Sequence, residues 1–187
     1  MLSLEQCLDG VYKLPQKEKA EFMACFKTVS FPAKTLLIKE GEESKSIYFV
    51  ARGSLRSYYG QKDKEVTLWF GHEGDLVTCF RSVIKGEKGL ENIQLSEDCT
   101  FYEIAYDVLN KLTQQFPEIN QFYRKLMEES YLYWENRVMM LLFYTAKERY
   151  TKLTERSPFV LQRFPLSQIA SYLGITQETL SRIRAEK

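Results

Sequence analysis

A chain of 187 residues that is 44% hydrophobic and 27% charged can bury a complete core and hold one or two domains. Its net charge of +1 excludes an overall basic field as the means of attracting nucleic acid. The distribution is mildly uneven, since residues 118–187 carry 11 Lys and Arg against 8 Asp and Glu.

Short sequence patterns argue against a membrane protein and against a secreted protein. The longest apolar run, residues 138–146, is shorter than the ~20 residues that a membrane span needs, so no membrane partner is predicted. The N-terminus lacks a signal-peptide pattern. The four cysteines lie far apart without a CxxC pair, which favours reduced thiols and a cytoplasmic protein.

Residues 1–117 are predicted to form a helix followed by an all-β domain. The helical pattern begins after Pro15, with Met23 and Phe26 at helical spacing. Beyond it lie short runs rich in β-branched and aromatic residues, which are typical of strands. Turn signals separate these runs, at Gly41, Gly53, Gly60 with Asp63, Gly71, Gly74 and Gly89. The pattern predicts a double-stranded β-helix (jelly-roll) barrel.

One of these runs, residues 65–70, alternates along its length. Val66, Leu68 and Phe70 alternate with residues of a second set, Glu65, Thr67 and Trp69. Successive side chains of a strand point to opposite faces. The alternation therefore predicts that this strand has one buried face.

A long helix is predicted after Pro117, with side chains recurring at spacings of three and four. Such a stripe commonly faces the core of its own chain. A helix leaving a small barrel has little of its own domain to lie on, however, which favours a dimer seam over residues 118–135. The predicted interface residues are Ile119, Phe122, Leu126 and Tyr133. A bend is predicted at residues 134–137, followed by a second helix to about residue 156.

Residues 136–187 are predicted to be a third unit that ends in a helix-turn-helix. Pro165 can open the first helix, Gly174 suits the left-handed position that ends it, and Thr176 can cap the second. The apolar side chains that face inward are Ile169, Ala170, Leu173, Leu180 and Ile183. The outward face then carries the candidate DNA-binding residues Thr176, Gln177, Glu178, Ser181, Arg182 and Arg184.

The chemistry of this outward face suits base recognition. Arginine offers two donors to guanine O6 and N7, and glutamate can accept from cytosine N4. Glu178 and Arg182 are four residues apart, so they share a helix face and can also pair with each other. Solvated surface residues at a C-terminus are the alternative interpretation.

The three stretches together resemble the Crp/Fnr family of bacterial transcription regulators over nearly the whole chain. The residues that carry the resemblance are "KEGEESKSIYFVARGSLRSYY", "GDLVT" and "IASYLGITQETLSRI". The last segment is similar to the family pattern Ala-x-x-x-Gly-x-[Ser/Thr]-x-Glu-Thr-x-x-Arg. The resemblance implies a homodimer that binds near-palindromic promoter DNA and a barrel that reports an effector through the long helix, with RNA polymerase a further candidate partner.

The resemblance also places an effector pocket at Gly74, Asp75, Leu76 and Lys88. Nucleotide-binding members hold the cyclic phosphate with an arginine about ten residues after a Gly-Glu-Leu turn. Here that position falls within residues 88–94, where Leu90 and Glu91 stand and no arginine is present. Cyclic AMP is therefore not expected to bind, although Lys88 or Arg81 could substitute. No cofactor is predicted and the effector is unknown.

One further departure from the family and two rival functions complete the prediction. Only residues 184–187 follow Ile183, so the usual β-wing is expected to be missing. A cupin-type metal enzyme needs two or three converging histidines, whereas His72 is the single histidine. Neither a catalytic residue nor a metal site is predicted. The alternative function is a ligand-sensing regulatory module that acts through protein contacts without DNA.

Overall fold

The computed structural model describes residues 1–61 and 64–186, so Asp63 of the predicted turn lies outside the described residues. The helices that flank the strands on the N-terminal side are α1 Leu4–Val11 and α2 Gln16–Met23. The strands are β1 Lys27–Phe31, β2 Leu36–Ile38, β3 Ser46–Arg52, β4 Leu55–Gln61, β5 Lys64–Gly71, β6 Leu76–Val77, β7 Asn92–Leu95 and β8 Cys99–Ala105, with α3 Phe80–Lys85 between β6 and β7. The remaining helices are α4 Tyr106–Gln115, α5 Pro117–Phe143, α6 Ala146–Arg156, α7 Phe159–Arg163, α8 Leu166–Leu173 and α9 Gln177–Ala185.

The strands form two four-stranded antiparallel sheets, in the orders β1-β8-β3-β6 and β2-β7-β4-β5. The all-β prediction is confirmed, but the sheets do not close into a barrel. They face each other as a sandwich whose core includes Val50, Leu55, Ile93 and Phe101, all fully buried. Helix α1 was not among the predicted elements; it begins with a capping box in which Ser3 and Gln6 bond each other's backbone N–H groups.

Strand β5 departs from the predicted alternation. Val66 is exposed and Phe70 is buried, although the pattern places both on one face, and Thr67 of the second set is buried. The pairing with β4 shifts between Ser57 and Tyr58, which leaves Leu68 as the extra residue of a β-bulge. The bulge reverses the alternation, and α8 covers the strand on the side of Thr67.

Three of the four residues predicted for the dimer seam lie in the core of their own chain. Ile119, Phe122 and Leu126 are buried with residues of α1, α2 and the β3–β8 sheet. The ring of Phe122 lies 5.3 Å from the ring of Phe22. The seam prediction is therefore wrong for these three positions, because helices α1 and α2 supply the surface that the sandwich alone would lack.

Helix α5 runs unbroken through residues 134–137, so the second helix predicted from there does not begin at this place. The break comes later, at Tyr144 and Thr145, where Thr145 and Glu148 form the capping box that starts α6. The helix thus extends about two turns beyond the predicted boundary at residue 135, and it carries exposed apolar side chains there.

Helices α8 and α9 and the turn between them occupy the predicted positions. Gly174 has φ 66° and ψ 37°, the left-handed conformation that glycine adopts at low cost. The Thr179 backbone N–H donates to the Thr176 hydroxyl at 3.2 Å, which caps α9 as predicted. The five predicted inward side chains are all buried, in a cluster that also contains Phe70 of the sandwich.

Candidate DNA-binding surface and effector cavity

The six candidate DNA-binding residues lie together at the start and along the outer face of α9. Thr176, Gln177, Glu178, Ser181, Arg182 and Arg184 are all exposed. Leu180 and Ile183 anchor the opposite face of the helix in the core. The helix is thereby held by its apolar side and offers donors and acceptors to solvent on the other.

The predicted pairing of Glu178 with Arg182 is not seen. A hydrogen bond from the Thr176 hydroxyl holds the pKa of Glu178 below its usual value. No ion pair joins Glu178 to Arg182 within the part of the chain that the structure describes. The Arg182 guanidinium is thus not committed to Glu178 and can reach outward from the helix.

A cavity of about 290 Å³ lies between the sandwich and helix α5. Gly74, Asp75 and Leu76 line it, as the sequence predicts, and they share it with Ser130, Tyr133 and Trp134 of the helix. Tyr133, predicted for the dimer seam, thus faces this cavity, with 43% of its surface exposed. A small molecule here would contact both the sandwich and the long helix.

The turn before β6 forms part of the cavity lining. Gly74 has φ 94°, in the region that favours glycine, and its N–H donates to the Val50 carbonyl at 2.8 Å. The Asp75 carboxylate accepts from the His72 backbone N–H and contacts His72 Nδ1, each at 2.8 Å. This hydrogen bond from the ring raises the pKa of His72. Asp75 therefore holds the turn together through His72.

Lys88 does not line the cavity, and Glu91 does. Lys88 is exposed, and the guanidinium of Arg81 is bound to Glu87. Glu91 accepts a hydrogen bond from the Ser57 hydroxyl, and burial raises the pKa of its carboxyl group. The predicted role of Lys88 is wrong in this structure, because the loop after α3 turns the lysine to solvent and brings Glu91 to the cavity.

Comparison with known proteins supports the architecture. A family model described as the cyclic nucleotide-binding domain matches residues 28–116. The fumarate and nitrate reduction regulatory protein of Vibrio cholerae is 30% identical over 161 residues, which cover 79% of this chain and 63% of the relative. The chain therefore contains a cyclic nucleotide-binding domain and is similar to Crp/Fnr-type regulators.

Two solved structures show the same fold as this chain. FixK2 from Bradyrhizobium japonicum superposes with a TM-score of 0.74 at 20% identity, covering 86% of this chain and 83% of that one. The Thermus thermophilus catabolite activator protein has a TM-score of 0.61 at 18% identity, covering 96% of this chain and 85% of that one. The curated relatives are named as regulatory proteins, and the chain spans 63% of the length of the Vibrio cholerae one.

The sequence did not predict how the helix-turn-helix joins the rest of the molecule. The Phe70 ring of β5 lies 4.4 Å from Phe164 and 5.3 Å from Tyr172. The Ser171 hydroxyl accepts from the Thr67 N–H at 3.0 Å and donates to the Glu65 carbonyl at 2.9 Å. Helix α8 therefore docks on β5, at the edge of the sandwich.

A second connection runs from helix α5 to α8 through Arg137, which is 8% exposed. Its guanidinium lies 3.8 Å from the centre of the Tyr172 ring and donates to the Tyr172 carbonyl. The signal in the sequence was an arginine within an apolar helical stripe, a position where a charged group needs a specific partner.

Residues 1–61 and 64–186 contain neither a membrane-spanning helix nor a metal-binding cluster. No helix there combines the length and apolar character that crossing a bilayer requires. No cluster of three or more His, Cys, Asp or Glu side chains there is arranged to hold a metal ion. The cysteines Cys7, Cys25, Cys79 and Cys99 are free thiols.

Proposed function

We propose that this chain is a cytoplasmic, sequence-specific DNA-binding transcription regulator that acts as a homodimer and senses a small effector other than cyclic AMP. The observation that carries the proposal is the exposed polar face of α9, presented by a helix-turn-helix whose apolar face is buried. The names of the relatives as regulatory proteins support the same conclusion.

Base recognition falls to the N-terminal and central part of α9. Gln177, Glu178 and Ser181 stand beside Arg182 on the exposed face, where they could reach base edges in the major groove. Arg184 lies near the end of the helix and suits a phosphate contact. A dimer would place two such helices about one helical turn of DNA apart, on a near-palindromic site.

The dimer surface is assigned to the second half of α5. Tyr131, Val138 and Leu142 are spaced by seven and four residues, so they share one helix face. All three are exposed, and Leu142 is 69% exposed. A row of apolar side chains on a long helix is suited to pairing with the same row of a second copy.

Cyclic AMP does not suit the cavity. No lysine or arginine is among the described residues that line it, and Glu91 supplies a carboxylate. A buried phosphate without a cationic partner loses several kcal/mol of binding free energy. The fold therefore supports ligand binding at this place while the side chains favour a different ligand.

Selection of bound sequences from a random double-stranded DNA library tests the proposal. The wild-type chain should enrich a near-palindromic sequence, and a variant with Gln177, Glu178 and Arg182 all changed to alanine should not. Failure of the wild-type chain to enrich any sequence, with the protein folded and dimeric, would favour the regulatory module that acts through protein contacts.

A further inference from the structure

The effector cavity has an unusual combination of side chains. Six of its lining residues are aromatic, namely Phe49, Trp69, Phe70, Phe80, Tyr133 and Trp134. Three are acidic, namely Asp75, Glu91 and Glu129, and none of the described lining residues is lysine or arginine. We infer that this cavity binds an organic ammonium cation with a small apolar body.

The aromatic rings favour a cation because the face of each ring carries a partial negative charge. Elsewhere in the chain, rings of this kind are matched with side-chain cations, as in Arg56 over Tyr58 at 4.2 Å. None of the cation–ring contacts among the described residues involves one of the six cavity aromatics. Phe49 and Phe70 pack against other rings of the protein interior. The rings left to a cation from outside are therefore those of Trp69, Phe80, Tyr133 and Trp134.

Glu91 is the group that would hold the ammonium. Its carboxylate bonds to the Ser57 hydroxyl, and Ser57 is fully buried. A carboxylate turned into a cavity is costly without a counter-charge, and an ammonium supplies both the charge and N–H donors. Asp75 is already occupied by His72 at 2.8 Å, and Glu129 lies on an exposed part of α5, where it can attract the cation to the entrance.

The dimensions limit the ligand to a small one. A volume of about 290 Å³ is at the lower end of the range of ligand pockets in proteins, which begins at about 300 Å³. An amine with one ring or a short alkyl chain fits this description. Anionic ligands are disfavoured, because three carboxylates line the cavity and no lysine or arginine is among its described lining residues.

This inference rests on the proposed function, since it names the effector class of the proposed regulator. The ligand would touch Ser130, Tyr133 and Trp134 of α5, within two turns of Arg137, which contacts the helix-turn-helix. A binding experiment without DNA keeps the two proposals apart. Failure to bind DNA would leave the ligand result intact, and failure to bind ligand would leave the DNA result intact.

The test is titration of the full chain with phenethylamine, hexylamine and choline, beside 2-phenylethanol and 3-phenylpropionate as neutral and anionic analogues. Tryptophan fluorescence reports binding directly, because the only two tryptophans of the sequence, Trp69 and Trp134, both line the cavity. At least one amine should bind at least about tenfold more tightly than either analogue, as expected for a charge-assisted contact.

Variants locate the site. Glu91→Gln should weaken the binding of that amine at least about tenfold, and Glu155→Gln, an exposed acid on α6, should leave it unchanged. Trp134→Leu should also weaken it, and thermal unfolding of each variant shows whether the fold is kept. The inference is overturned by no saturable amine binding into the millimolar range, by equal binding of the neutral analogue, or by unchanged affinity in folded Glu91→Gln.

Discussion

The guanidinium of Arg137 lies over the ring of Tyr172, 3.8 Å from its centre, and donates a hydrogen bond to the carbonyl of the same residue. The two residues belong to α5 and α8, so one side chain joins the long helix to the helix-turn-helix. A movement of α5 caused by a ligand in the cavity would therefore reach the helix-turn-helix through a direct contact.

Removal of this side chain should destabilise the protein. Arg137→Ala deletes the cation–ring contact and the hydrogen bond to a buried carbonyl, which together are expected to lower the free energy of unfolding by about 2–3 kcal/mol. Chemical denaturation measures the loss. The matched control is Arg124→Ala on the exposed face of the same helix, expected to cost less than about 0.5 kcal/mol. Equal losses in the two variants would show that Arg137 does not join the helices.

The Ser171 hydroxyl is the second contact that holds the helix-turn-helix on the sandwich. It bonds to both the Thr67 N–H and the Glu65 carbonyl of β5. Ser171→Ala leaves the Thr67 N–H without that partner and should lower the free energy of unfolding by about 1–3 kcal/mol. Ser167→Ala, exposed on the same helix, is the control. Hydrogen exchange at Thr67 should accelerate only in Ser171→Ala, and unchanged exchange there would contradict the contact.

The dimer proposal predicts different effects for the same substitution at two leucines of α5. Leu126 is 4% exposed and Leu142 is 69% exposed. Leu126→Glu buries a charge in the chain's own core and should unfold or severely destabilise the monomer. Leu142→Glu should instead give folded monomers in sedimentation, because the charge lies in the proposed seam.

A control with the same change at another exposed apolar position, Val108→Glu on α4, should remain dimeric. Two results would contradict the proposed seam: a dimeric Leu142→Glu variant, or a wild-type chain that sediments as a monomer at all concentrations.

The parts of the molecule that the sequence predicts well are those determined by local chemistry. The helix-turn-helix was predictable because Gly174 and Thr176 fix the end of one helix and the start of the next through their own backbone and side-chain bonds. The strands were predictable because glycine turns separate β-branched and aromatic runs. In each case the signal lies within a few residues of the structure that it specifies.

The parts that the sequence did not predict depend on long-range contacts. The stripe of Ile119, Phe122 and Leu126 looks the same whether the helix packs on its own chain or on a second copy, and the unpredicted helix α1 is part of what covers it. Glu91 lines the cavity in place of the predicted Lys88 because of the path that the loop after α3 follows. Ser171 gave no sign that its hydroxyl would meet a strand about 100 residues earlier.

Sequence choice on DNA should depend on Arg182. Arg182→Ala should cost about 1–3 kcal/mol at the preferred site and relax the preference at one base pair in each half-site. Binding to a set of singly substituted operators measures both effects. Uniform weakening across all sequences, with preference unchanged, would make Arg182 a phosphate contact and contradict the assignment.

Neither cyclic AMP nor cyclic GMP should bind the cavity. The phosphate of either nucleotide would face Glu91, while the two nearby basic residues are turned away: Lys88 to solvent and Arg81 to Glu87. Recruiting Arg81 would break its pair with Glu87 and would still leave a carboxylate beside the phosphate, so the substitution suggested by the sequence is disfavoured. Titration calorimetry with both nucleotides measures this directly. Micromolar affinity for either would show that the loop rearranges to bring a cation inward, and it would overturn the assignment of the cavity to a ligand other than a cyclic nucleotide.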